Sequence, residues 1–174
     1  MSSPIPFIDR VATNLQEIVA RSHREIPEIA PDADALTNVS ESFLHGGKRF
    51  RARLAYWGWR AAVTFGDVSV DPDELAEQQR VVDLATGLEL FHAAALVHDD
   101  IIDNSDTRRG VTTAHRQFER NHIDGRFSGS ATTYGASSAI LLGDLLLSWA
   151  DDQFLGATIG LDPGIGRAYR DELR

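Results

Sequence analysis

A chain of 174 residues, 43% of them hydrophobic, is long enough for one domain with a real core and has the composition of a soluble globular protein. Acids outnumber bases 26 to 17, a formal charge of −9. That argues against wide contact with nucleic acid, which needs many cations on phosphates, but not against a small anion held by a few clustered cations. With no cysteine there are no disulfides and no thiolate metal sites. Met1-Ser2-Ser3-Pro4 is not a basic segment leading an apolar block, and no stretch approaches the ~18 apolar residues of a membrane span. The expectation is a cytoplasmic protein without an integral membrane segment.

The periodic segments read as helices. Ile8, Val11, Ala12, Leu15, Ile18 and Val19 repeat at i, i+3, i+4, i+7, and Pro27 and Pro31 are expected to close that helix. Asp34 to Leu44 is a short helix, with His45-Gly46-Gly47 as its cap and exit turn. Arg51 to Phe65 is apolar nearly all round (Leu54, Ala55, Trp57, Trp59, Ala62, Val63) and ends at Gly66. Asp71-Pro72 offers an N-cap with proline at the first helical position, opening a long helix to about Asp103. Asn104 to Gly110 reads as a polar turn, Ala114 to Arg120 as a short helix, and Asn121 to Thr133 as a Gly/Ser-rich loop. Tyr134 to about Phe154 is a strongly apolar helix, after which Gly156, Gly160 and Pro163-Gly164 break the pattern. Asp171 to Arg174 resembles the start of another helix. No segment alternates convincingly as a strand, so the fold class is all-α.

Asp99-Asp100-Ile101-Ile102-Asp103 is the densest chemistry. On a helix Asp99 and Asp103 share a face, about 6 Å apart along the axis, and Asp100 is turned by about 100°. Carboxylates this close repel unless a cation sits among them, and hard oxygen donors suit Mg²⁺ or Mn²⁺. Magnesium takes one or two carboxylates and leaves positions for phosphate oxygens. A solvated acidic helix end is the alternative. The apolar run Ala93-Ala94-Ala95-Leu96-Val97 before the acids and Arg108-Arg109-Gly110 after them favour a site, because guanidinium forks match phosphate oxygens. His92 lies seven residues before Asp99, two turns earlier on nearly the same face. Gly46-Gly47-Lys48-Arg49-Phe50-Arg51 opens a helix with cations, an anion-binding arrangement, though without Walker spacing.

These pieces, in this order, resemble the trans (all-E) isoprenyl diphosphate synthases, the polyprenyl synthetases of geranylgeranyl diphosphate synthase type. The resemblance rests on Gly46 to Arg51, Glu89-Leu90-Phe91-His92, His98-Asp99-Asp100-Ile101-Ile102-Asp103, Asp106-Thr107-Arg108-Arg109-Gly110 and Leu142-Gly143-Asp144. It implies an all-α antiparallel helical bundle around a central cavity, and a magnesium-dependent prenyltransferase that condenses isopentenyl diphosphate with an allylic diphosphate. Lys48, Arg51 and His92, helped by Arg109, would hold the isopentenyl diphosphate. Asp99 and Asp103, with Asp100, would carry Mg²⁺ and the allylic diphosphate, which Arg108 would also bind. It further implies a homodimer packed through helices, either the Trp57/Trp59 helix or the Tyr134 to Phe154 helix. Ala52 stands where the family usually has proline. The family's second Asp-rich motif is not matched here; Asp151-Asp152 comes too early and lacks the third acid. The expectation is an N-terminal part of a longer polyprenyl synthetase domain.

Below the acids, Ala95 is one turn before Asp99 and Phe91 two turns before, about 6 and 12 Å down the helix. In this family the residues four and five before the first Asp set pocket depth. Ala95 and Ala94 are small, which implies a product longer than C15, geranylgeranyl or beyond, with Phe91 as a candidate floor. Close helix packing is the other use for two alanines. Two rival functions remain open on sequence: an HD-type metal-dependent phosphohydrolase built on His98-Asp99, and a non-catalytic subunit that binds prenyl diphosphate.

Overall fold

The structure, a computed structural model, describes residues 5–30, 33–66 and 74–172. Among these, seven helices follow one another: α1 (Ile5–Ile29), α2 (Asp34–Leu44), α3 (Phe50–Phe65), α4 (Leu75–Ile102), α5 (Ala114–Asp124), α6 (Ala131–Thr158) and α7 (Pro163–Glu172). The fold is all-α, as the periodicity implied. Between α4 and α5 lies the one departure, an antiparallel hairpin of β1 (Thr107–Arg108) and β2 (Val111–Thr112). Two-residue strands are too short to alternate, so the pattern carries no strand signal. The turn is legible in retrospect: Arg109 and Gly110 both take positive φ (53° and 81°), the backbone that a two-residue hairpin needs.

Several boundaries differ from expectation. Pro27 does not close α1, which continues to Ile29, and Ala30 N still donates to Ile26 O at 2.8 Å. A proline near a helix end removes one hydrogen bond but need not stop the last turn. Pro31, Asp71 and Pro72 lie outside the described residues. The helix α5 runs to Asp124, past Arg120, because His122 is buried against Phe127 and Tyr134. The loop expected over Asn121 to Thr133 therefore shrinks, with α6 already begun at Ala131. Gly156 sits inside α6. Pro163 opens α7 rather than breaking the chain, and Asp162 Oδ1 accepts from Gly164 N at 2.8 Å. Asp171 and Glu172 belong to α7, which already opens at Pro163, and Leu173 and Arg174 lie outside the described residues.

The chain forms two compact units. One comprises residues 1–15, 47–89 and 149–174. Its core holds Phe7, Val11, Leu15, Tyr56, Val82 and Trp149, with the Phe7 and Tyr56 rings 4.8 Å apart. Asn14 Nδ2 binds Gln153 Oε1 at 2.9 Å and Thr86 Oγ1 at 3.2 Å, stitching three helices within this unit. The other unit comprises residues 16–46 and 90–148. Its core holds Ile18, Val39, Leu90, Val97, Phe118 and Leu142. Here α2 packs on α5, and Ser42 Oγ lies 3.4 Å from Gln117 Oε1. One segment of α4, Gln78–Ile102, is long and apolar enough to cross a membrane by length and composition, contrary to the sequence expectation. More than half of its most apolar window is buried inside the protein, as in a core helix.

Candidate functional site

The second half of α4 has two faces in helical phase. Leu90, Ala93, Ala94, Val97 and Asp100 fall on the buried side. Phe91, Ala95, Asp99 and Ile102 fall on the open side, with Phe91 52% exposed. The two alanines thus part company: Ala94 is fully buried in close helix packing, and Ala95 lines the open face. Beyond Ile102 the helical bonding persists for one more residue, as Asp103 N donates to Asp99 O at 2.9 Å. Asp99 and Asp103 are both exposed at the end of this face.

Asp100 departs from the metal-facing role. Its side chain is 1% exposed and Oδ1 takes Arg108 Nε at 2.9 Å and Nη2 at 2.8 Å. Arg108 Nη2 also donates to Asp99 Oδ2 at 2.8 Å. A guanidinium held by two carboxylates is strongly favoured in its charged form. The Arg108 pKa is raised, chiefly by the hydrogen bond to Asp100, with burial opposing and Asp99 adding to the rise. The hairpin delivers Arg108 to this position, and α5 holds the hairpin. Thr113 Oγ1 donates to Ser105 O at 2.7 Å, and Gln117 Nε2 to Thr112 O at 2.8 Å. Arg116 bridges Asp106 Oδ1 at 2.8 Å, Glu119 Oε2 at 2.7 Å and Asn104 Oδ1 at 3.1 Å. The pKa of Glu119 is lowered, first by that bond from Arg116 and then by Thr132. Arg109 stands exposed at the hairpin turn without a protein partner among the described residues.

His92, in the same unit, is half-buried on α4. His98 is turned away from Asp99 toward α6. Its Nε2 is 3.4 Å from Ile140 O and 3.8 Å from Asp144 Oδ1. A methyl group at Gly143 would overlap the His98 ring, so the Leu142-Gly143-Asp144 glycine is required by this contact. The HD pair is therefore split between two directions. His115 and His122 are buried elsewhere in the unit, and no group of three or more His, Asp or Glu side chains among the described residues encloses a cation. An open concavity of about 520 Å³ lies beyond the hairpin, but its Arg116 is already neutralised by Asp106 and Glu119.

In the other unit, which takes up the chain at Gly47, Gly47 (φ 89°) and Arg49 (φ 47°) take left-handed backbone, with Arg49 as N-cap of α3. Glu89 Oε1 accepts from Ala52 N at 3.2 Å and Oε2 lies 3.5 Å from Arg49 Nη1. Glu89 thus caps α3 and engages Arg49, a role sequence reading did not assign. Lys48 and Arg51 remain exposed, and their charged groups have no protein partner among the described residues.

An all-helical protein presenting exposed carboxylates beside fixed and free arginines is the class this geometry defines. Residues 33–155 match the polyprenyl synthetase family model. A short chain isoprenyl diphosphate synthase of Methanocaldococcus jannaschii is 33% identical over 78% of this chain and 33% of its own length. A chloroplastic solanesyl diphosphate synthase of Arabidopsis thaliana is 28% identical over 85% of this chain and 30% of its own. The crystal structure of geranylgeranyl pyrophosphate synthase from Corynebacterium glutamicum, complexed with isoprenyl diphosphate and magnesium, superposes with a TM-score of 0.75 at 38% identity. That match covers 90% of this chain and 42% of the other. The chain belongs to the polyprenyl synthetase family, and it spans about a third of the length of the curated relatives it matches.

Proposed function

We propose that this chain is part of a prenyltransferase that joins isopentenyl diphosphate to an allylic diphosphate head to tail. The observation that carries this reading is the open face of α4. Asp99 and Asp103 end it, Arg108 is fixed beside Asp99, and Ala95 and Phe91 continue it as an apolar stripe. Exposed hard carboxylates one helical turn apart fit a divalent cation that keeps open positions for phosphate oxygens. Asp99 and Asp103 would hold Mg²⁺ or Mn²⁺, which supplies charge neutralisation for a leaving diphosphate when bound. Asp100 serves from behind by fixing Arg108. Arg108 offers its guanidinium to the allylic diphosphate, lowering the cost of charge that develops as the allylic C–O bond breaks. The isopentenyl double bond then attacks the allylic carbon, and the proton lost passes to the departing diphosphate. Lys48, Arg51 and His92, with Arg109, are assigned to the isopentenyl diphosphate.

Ala95 on the open face supports a product longer than C15, of geranylgeranyl length or beyond, with Phe91 lower on the same face as its floor. A homodimer, a cytoplasmic setting and a place in the N-terminal part of a longer synthetase domain belong to the same proposal. The orientation of His98 toward α6 argues against the phosphohydrolase reading. The test is incubation of the full-length protein with isopentenyl diphosphate, allylic primers and Mg²⁺, followed by chromatography of the extracted prenyl products. Elongated prenyl diphosphates are expected. Release of inorganic phosphate from nucleotides without prenyl elongation would sink the proposal.

A further inference from the structure

The cation-rich entry to α3 is held by a residue of another helix in the same unit. Arg49, the N-cap of α3, takes left-handed backbone (φ 47°, ψ 48°) and gives the helix no side-chain cap. A residue other than glycine keeps that backbone only where its surroundings fix it. Two contacts do so here. Arg53 Nε donates to Lys48 O at 3.1 Å, and Glu89 of α4 takes the place of the missing cap. Its Oε1 accepts from Ala52 N at 3.2 Å, one of the N–H groups that an N-cap oxygen ordinarily serves. Its Oε2 pairs with Arg49 Nη1 at 3.5 Å. The Glu89 side chain is 10% exposed and that of Arg49 12%. A carboxylate so buried is costly unless it is paired and hydrogen-bonded, as this one is.

We infer that Glu89 is a positioning residue for a bound diphosphate: it fixes the turn over residues 47–49 so that Lys48 and Arg51 are held ready as ligand cations. The three cations of the segment divide accordingly. Arg49 is drawn inward and neutralised by Glu89. Lys48 and Arg51, before and after it in sequence, stay exposed with no protein partner among the described residues. The positive end of the α3 dipole already faces the Glu89 carboxylate, so a diphosphate is left to these two side chains. Both are long and rich in rotamers, and a fixed backbone at their roots limits the freedom lost on binding. Without Glu89 the turn relaxes out of left-handed backbone, and the two cations lose their common aim.

The inference rests on the assignment of Lys48 and Arg51 to isopentenyl diphosphate. Its test is steady-state kinetics of the full-length protein with isopentenyl diphosphate, an allylic primer and Mg²⁺, beside calorimetry with isopentenyl diphosphate alone. Glu89→Leu removes both contacts. In it, KM and Kd for isopentenyl diphosphate should rise about tenfold, while kcat and the KM of the allylic primer change less than about twofold. Glu89→Gln keeps an acceptor for Ala52 N but loses the ion pair, and should raise the same KM about threefold. A Glu89→Gln KM at or below the wild-type value, the result if the carboxylate merely repels the diphosphate, would overturn the inference. Equal rises for both substrates in Glu89→Leu, the mark of a general loss of structure, would overturn it too. The Gln variant decides the matter if the Leu variant does not fold. A wild type that elongates prenyl chains, with variants that bind isopentenyl diphosphate normally, removes the inference alone. A wild type that neither binds nor elongates removes the functional reading and the inference with it.

Discussion

Neighbouring aspartates in this chain have different surroundings because a helix turns about 100° per residue. Asp100 falls in register with Ala93 and Val97 on the buried side, and Asp99 with Phe91 and Ala95 on the open side. Asp99→Asn in the full-length enzyme should cost at least about 100-fold in kcat/KM and leave the melting temperature nearly unchanged, since the group is 55% exposed. Asp100→Asn should lower both, because it removes a buried charge that pairs with Arg108. Steady-state kinetics and thermal melts on the two variants separate these roles. Equal effects would refute the division. The sequence already contained this distinction, since Asp100 continues the apolar phase of the helix. What it did not contain was the partner. Arg108 could be read as a phosphate ligand, but its grip on Asp100 depends on a hairpin whose two-residue strands leave no periodic trace. Glu89 was equally hidden, because a carboxylate that caps another helix has no signature in its own helix.

The long apolar runs made the helices plain, and the errors collect where helices end. The continuation of α1 past Pro27 reflects a proline that removes one bond without stopping the last turn, whereas that of α5 to a buried His122 follows from tertiary contacts that a one-dimensional pattern does not carry. Close helix approach is likewise invisible until the partner is known. Gly143 reads as an isolated glycine, yet it is where α6 admits the His98 ring of α4. Gly143→Ala should destabilise the full-length protein by about 1–3 kcal/mol in chemical denaturation, the usual cost of overpacking. In the His98→Ala background the same change should cost much less, a coupling that a double-mutant cycle measures. Additive effects would show that the ring does not dictate the glycine. On the opposite face of α4, Ala95→Phe should shorten the main product of the full-length enzyme. An unchanged product on chromatography would remove Ala95 from the chain-length determinants.

At the scale of the whole molecule, the cations proposed to bind anions in this chain of net charge −9 are Lys48 and Arg51 in one unit and Arg108 and Arg109 in the other. The family was legible from the order of the motifs, and the all-α class from the helical periodicity of the segments that carry them. Stability should report the buried imidazole of His115. Its folded pKa lies below 6.5, so as pH falls below that value the unfolded chain takes up a proton that the folded chain refuses. This contribution is complete above pH 6.5 and is lost as pH falls toward the lowered value. Urea titrations across that range should show a decline that His115→Leu flattens. A parallel decline in the variant would assign it to other groups. The most direct test of the account is the product made by the full-length protein from isopentenyl diphosphate, an allylic primer and Mg²⁺. Prenyl diphosphates longer than C15, abolished by Asp99→Asn, are the predicted result. Intact substrates after prolonged incubation with folded protein would contradict it.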